Sequence, residues 1–182
     1  MDVDQPDPQA PRRHGVLVGG TWRPALSGAV LTVRCPSDGT VLAEVARGEA
    51  ADITLAADAA RHALEGPWGR LAAVERGRIL MRLGRLVERD ADELATIEAA
   101  DTGKPLRQGR ADVAACARYL EFYGGAADKV HGDTIPYLDG FTALTWRERL
   151  GVTGHIVPWN YPLQVAGRSV GAALAMGNAC IL

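Results

Sequence analysis

Two periodicities share this chain, and the change from one to the other divides it. Short apolar and β-branched runs come first: Val16-Leu-Val-Gly-Gly-Thr-Trp22, Leu31-Thr-Val-Arg34 and Val41-Leu-Ala-Glu-Val45, broken by Gly, Ser and the Cys35-Pro-Ser-Asp-Gly39 turn. They predict a small antiparallel set of strands. From Ala50 the period lengthens, with Ile53, Ala56, Ala57, Ala60 and Leu64 at helical spacing until Gly66-Pro67 stops the run. Leu71 to Arg89 is the clearest amphipathic helix, its apolar stripe made of Ile79, Leu80, Leu83, Leu86 and Val87, with Arg78, Arg82, Arg85 and Arg89 on another face. Asp90 with Glu93 is a capping-box pattern for a helix from Leu94 to Ala100 that Gly103 and Pro105 end. Pro105 suits the first turn of another helix through Val113, Ala117 and Leu120 to Gly124-Gly125.

Beyond this helical scaffold, Asp139-Gly140 separates Thr134-Ile-Pro-Tyr-Leu138 from Phe141-Thr-Ala-Leu-Thr-Trp-Arg-Glu-Arg149. That pattern predicts a β-hairpin over 134–149, with Asp-Gly supplying two positive-φ positions. Long hairpin strands leave unpaired edges, and a second copy of the chain is one candidate to cover them. Gly151 to Val157 then reads as a buried strand, Pro162 to Met176 as an apolar helix, and Ala179 to Leu182 as the start of another buried strand. Strand, helix, strand is a βαβ unit, and the fold class it predicts is α/β.

Composition narrows the function. With 182 residues, 47% of them hydrophobic, the chain can bury one core. Twenty Lys and Arg against 22 Asp and Glu give a net charge of −2, which argues against nucleic acid or an anionic membrane as partner. The arginine row on the third helical segment fits a solvated or interface face, because Glu75 and Glu88 stand where they can pair with it. Cys35, Cys116 and Cys180 are too few and too scattered for a disulfide framework or a zinc site, so a reducing cytoplasm is the expected setting. The four histidines have no metal spacing, and no metal is expected. Residues 1–15, rich in Pro and Asp, read as a mobile tail without the apolar stretch of a signal peptide. From Gly151 onward Arg168 is the only fixed charge, and the chain stops on Ala-Cys-Ile-Leu182 inside a strand pattern. This favours a chain that once continued.

Neither Gly-x-Gly-x-x-Gly nor Gly-x-x-x-x-Gly-Lys-Ser/Thr occurs. The informative segment is Pro158-Trp-Asn-Tyr-Pro162, where a strand runs into a turn stiffened by two prolines and then into a helix. Strand-end turns are where α/β folds place ligand groups. Asn160 there has two readings. It can cap the helix, or its amide can donate to a developing oxyanion, which a neutral N–H does without moving a proton.

Four segments together resemble the aldehyde dehydrogenase superfamily: Gly151-Val-Thr-Gly-His-Ile-Val-Pro-Trp-Asn-Tyr-Pro-Leu163, Ala173-Leu-Ala-Met-Gly-Asn178, Asp101-Thr-Gly-Lys-Pro105, and Gly66-Pro-Trp68 before Glu75-Arg76 and Leu80. The resemblance runs from about Val18 to Leu182. It implies an incomplete Rossmann-type coenzyme-binding domain over 16–182, with a helical N-terminal part, an oligomerisation hairpin and no catalytic domain. It further implies NAD or NADP as cofactor and an aldehyde as substrate, oxidised through a cysteine thioester. Asn160 matches the family's oxyanion-stabilising asparagine, and Ile156, Val157, Pro158, Trp159 and Asn160 match positions along the dinucleotide site. Asp101, which in some members helps hold a monovalent cation, is assigned to a turn here. The family's ribose-contacting lysine, its glutamate base and its nucleophilic cysteine have no counterpart in this chain. The reading is therefore an N-terminal fragment of such an enzyme, inactive by itself, soluble in the cytoplasm and homo-oligomeric through the hairpin. The alternative is a non-catalytic assembly or regulatory module built on the same fold.

Overall fold

The computed structural model describes residues 12–182. Five short strands open the fold: β1 (Arg12–His14), β2 (Val16–Val18), β3 (Thr21–Arg23), β4 (Val30–Arg34) and β5 (Val41–Ala46). Strands β2 and β3 pair antiparallel, as do β4 and β5, but β1 joins the outer edge of β5 in parallel. The set is therefore mixed, and the expected tail over 1–15 is corrected at its end, because the backbone of Arg12–His14 finds the open edge of β5. The remainder of that tail lies outside the described residues.

Six helices follow: α1 (Ala50–Glu65), α2 (Pro67–Arg70), α3 (Ala73–Arg89), α4 (Ala91–Thr102), α5 (Leu106–Ala126) and, after the hairpin, α6 (Pro162–Ala175). The carboxylate of Asp52 satisfies the start of α1, accepting from the Glu49 N–H at 3.0 Å and from Leu26 N–H at 2.9 Å, which also ties the strands to the helices. The capping box predicted at Asp90 does not form. Asp90 occupies the N-cap position of α4 without a capping bond, because its carboxylate is taken by Arg89 at 2.8 Å.

Helix α5 is the centre of the molecule, and small residues set how closely its neighbours approach. A side chain added at Gly109 would strike the Ala95 carbonyl of α4 at 2.7 Å, at Gly124 the Gly77 carbonyl of α3 at 2.8 Å, and at Gly167 of α6 the Cys116 Sγ at 2.6 Å. Into these crossings pack Leu80, Cys116, Leu120, Ala127 and Ala175, with Val87, Tyr123, Leu163, Leu174 and Met176 around them. The face of α3 that is buried is thus Gly77, Leu80 and Gly84, so that of the predicted stripe only Leu80 is buried and Val87 packs beside the core. Ile79, Leu83 and Leu86 are exposed, since backbone contact through glycine replaces contact through large side chains. Ile53 of α1 is likewise exposed. The arginine row behaves as the sequence suggests, Arg78 pairing with Glu75 at 2.6 Å on an open face.

The hairpin is shorter than its pattern. Only β6 (Thr134–Ile135) and β7 (Ala143–Leu144) pair, and of the turn residues Gly140 alone has positive φ, at 82°. The turn closes by the Phe141 N–H donating to the Leu138 carbonyl at 3.2 Å, a geometry that asks for glycine at one position only. Strands β8 (Val152–Gly154) and β9 (Ala179–Ile181) flank α6 and pair in parallel, so the predicted βαβ unit forms. The strand expected to be buried over Gly151–Val157 is corrected to three residues, Val152 and Thr153 half-buried and Gly154 exposed, because among the described residues β8 has a single neighbour strand. No helix among the described residues is long and apolar enough to cross a membrane.

Candidate functional site

Past β8 the chain leaves the sheet. The His155 N–H donates to the Ile181 carbonyl at 2.8 Å, the last bond of the β8–β9 ladder, and the next residues turn outward at the C-terminal ends of two parallel strands. Ile156 is fully exposed, Trp159 is 83% exposed, Pro158 and Asn160 are exposed, and Val157 is half-buried. The five predicted site residues therefore form one continuous ledge leading to α6. Asn160 does not cap that helix. Tyr161 is the N-cap residue, without a side-chain capping bond, and among the described residues the Asn160 amide makes no hydrogen bond. The capping reading of Asn160 fails on geometry, and its amide stands free beside the positive end of α6.

Beneath the ledge lies a buried charge cluster that sequence reasoning missed. Lys104, in the turn between α4 and α5, donates to Glu98 at 2.8 Å and to Asp112 at 2.6 Å, and all three side chains are at most 10% exposed. Gln108 donates to the second Asp112 oxygen at 2.9 Å. Burial works to lower the Lys104 pKa, but the hydrogen bonds and charges of Asp112 and Glu98 outweigh it and hold the ammonium above the ordinary lysine value. The same ammonium lies 4.7 Å from the centre of the Tyr161 ring, a cation–π distance. The available signal was Lys104 placed six residues after Glu98 and eight before Asp112, a spacing that faces one point only when α4 and α5 are folded together.

The other signature segments act as clamps. The Trp68 indole donates to the Asn178 carbonyl at 3.0 Å, and Arg76 donates from Nε to the Ala175 carbonyl at 3.2 Å and from Nη1 to the Leu71 carbonyl at 2.6 Å. Asn178 itself is buried, accepting from the Gly151 N–H at 2.9 Å and donating to the Ala173 carbonyl at 3.0 Å. Gly177 between them has φ of 82°, and a side chain there would meet Arg76 at 3.2 Å. These bonds satisfy the carbonyls at the end of α6 and fix β9 against β8. His155 bridges Ser169 of α6 at 2.5 Å and Thr153 of β8 at 2.9 Å, a structural tie.

None of the three thiols is placed as a nucleophile. Cys116 is buried against Gly167, and burial, with the Glu98 charge second, pushes its pKa up to about 11. Burial also raises Cys180, in β9. Cys35 sits half-buried in the turn after β4. Among the described residues no group of acidic, His or Cys side chains could hold a metal ion. A recess of about 790 Å³ opens elsewhere, between β2, α1 and β9, lined mainly by apolar residues such as Leu17, Trp22, Ile53, Ala59 and Leu174. No residue of the ledge lines it.

The sequence profile of the aldehyde dehydrogenase family matches residues 22–182. The mitochondrial aldehyde dehydrogenase family 2 member B4 of Arabidopsis thaliana is 43% identical over 92% of this chain, which covers 31% of that protein. A crystal structure assigned to the aldehyde dehydrogenases, from Burkholderia cenocepacia, superposes with a TM-score of 0.89 at 60% identity, over 92% of this chain and 35% of that one. The NAD+ complex of an aldehyde dehydrogenase from Bacillus cereus superposes with a TM-score of 0.90 at 34% identity, over 93% of this chain and 35% of that one. The chain thus spans about a third of the length of these relatives.

Proposed function

Since the chain belongs to the aldehyde dehydrogenase family, we propose that it is the N-terminal portion of an NAD(P)-dependent enzyme that oxidises an aldehyde to a carboxylic acid. The observation that carries this reading is the free Asn160 amide on an exposed turn at the C-terminal ends of β8 and β9, beside the start of α6. A neutral N–H held there stabilises the oxyanion of a tetrahedral adduct as charge develops, without titrating. The residues present fit part of a dinucleotide cradle. Ile156, Pro158 and Trp159 offer an exposed apolar ledge with its backbone outside the sheet ladder, at the position where parallel sheets receive such ligands. When bound, the nicotinamide would take up the hydride. The contribution of this chain is to seat the dinucleotide on the ledge and to present the Asn160 amide.

The thiols support assigning the nucleophile to a longer polypeptide, since Cys116 stays protonated in its buried site. The 182-residue chain is accordingly inactive alone. NAD- or NADP-dependent aldehyde oxidation by the purified chain would overturn that. In a longer enzyme carrying this segment, Asn160→Ala should lower kcat by about two to three powers of ten, as for loss of one oxyanion donor. A rate equal to wild type removes Asn160 from the chemistry. The exposed hairpin residues Tyr137, Leu138, Phe141 and Trp146 support oligomerisation through this element, and the three free thiols suit a reducing compartment such as the cytoplasm.

A further inference from the structure

We propose that Lys104 is a positioning residue, which holds the Pro158–Pro162 turn in place through the ring of Tyr161. Lys104 belongs to the rigid part of the molecule. Its ammonium is fixed from α4 by Glu98 and from α5 by Asp112, and Asp112 is in turn held by Gln108. Two of its three N–H bonds are spent on those carboxylates, and the charge faces the Tyr161 ring at 4.7 Å. Apart from the Tyr161 carbonyl, which accepts from the Val165 N–H of α6 at 3.0 Å, and half-buried Val157, the ledge has little else to hold it. Pro158, Trp159 and Asn160 are exposed, Asn160 makes no hydrogen bond among the described residues, and the sheet ladder ends at His155.

An ammonium bound from two helices is fixed by them, so the exposed turn is positioned on the ammonium. A desolvated cation attracts an aromatic face more strongly than one in water. Tyr161 is bonded directly to Asn160, and the amide is therefore referred to the α4–α5 pair. The consequence for catalysis, a preorganised amide, rests on the proposed role of Asn160.

Hydrogen exchange read by mass spectrometry on the full chain tests this without any turnover. In Lys104→Met and in Tyr161→Leu, peptides covering the first turn of α6, where the Val165 N–H donates to the Tyr161 carbonyl at 3.0 Å, should exchange several-fold faster, while α3 peptides stay as protected as in wild type. Tyr161→Phe, which keeps the ring, should match wild type, and the Lys104→Met/Tyr161→Leu double variant should exchange no faster than either single. Unchanged exchange over the first turn of α6 in a folded Lys104→Met protein overturns the proposal, as does an additive double variant. Where Lys104→Met loses protection throughout, because two carboxylates are left without their cation, the leucine and phenylalanine variants decide. Equal exchange in those two overturns it. Failure of the catalytic reading is separate: an Asn160→Ala enzyme of wild-type rate leaves the exchange pattern as it stands.

Discussion

Lys104 and Cys116 share a charged neighbour in Glu98, and together they give the molecule a defined alkaline limit. Each has its pKa raised in the folded state, Cys116 to about 11 from an ordinary value of 9.0 and Lys104 from 10.5 upward. Between the unfolded and folded values the folded state holds more protons, so stability falls as pH rises. The contribution is complete below pH 9.0, declines as Cys116 titrates toward about 11, and declines further above 10.5 as Lys104 does. Denaturant midpoints should therefore drop between those values, and Cys116→Ala should flatten the first part of the decline. A midpoint independent of pH in that range contradicts the buried placement of both groups. Neither effect was readable from residue identity. A lysine in an Asp-Thr-Gly-Lys-Pro turn and a cysteine in a helix become unusual only once α4, α5 and α6 desolvate them.

Between helices the deciding feature is glycine placement. Gly167 lets α6 lie on Cys116, with a missing Cβ that would stand 3.2 Å from the Cys116 Cα as well as 2.6 Å from its Sγ. Gly167→Ala should destabilise by about 1–3 kcal/mol, the usual cost of overpacking, since the backbone of α5 cannot yield. Gly125, one residue beyond the buried Gly124, faces open space. Gly125→Ala should stabilise by about 0.5–1 kcal/mol through helix propensity. Opposite signs for two glycine-to-alanine changes in packed helices, read from urea denaturation, check the crossing geometry, and equal signs contradict it. Helix existence was legible from periodicity except for the four-residue α2, which is too short to show a period and follows the Gly66-Pro67 stop. Which face is buried was not, because a periodicity scored on large apolar side chains places Ile79, Leu83 and Leu86 inside, whereas α3 packs on α5 through Gly77 and Gly84.

For the molecule as a whole, exposed apolar surface gathers on the hairpin and the segment after it, where Tyr137 is 68%, Phe141 71%, Trp146 78% and Leu150 90% exposed. Paired strands as short as β6 and β7 do not account for so much exposed side chain, and a second copy is the proposed cover. Sedimentation velocity should show concentration-dependent self-association that a Phe141→Asp/Trp146→Asp variant loses while keeping wild-type circular dichroism. Association unaffected by that variant would remove the hairpin from the interface.

Sequence by itself determined the α/β class, the order of the elements apart from β1 and α2, the βαβ unit around α6 and the family, because these depend on local periodicity and on contiguous motifs. Tertiary structure decided what distant segments do to one another. It showed Trp68 and Arg76 clamping the end of α6, Lys104 reaching the ring of Tyr161, and Asn160 released from capping. The physical reason is that the clamps and the Lys104–Tyr161 pair are contacts between residues far apart in the chain. Their energy exists only when burial removes water from both partners, and no spacing along one segment encodes that.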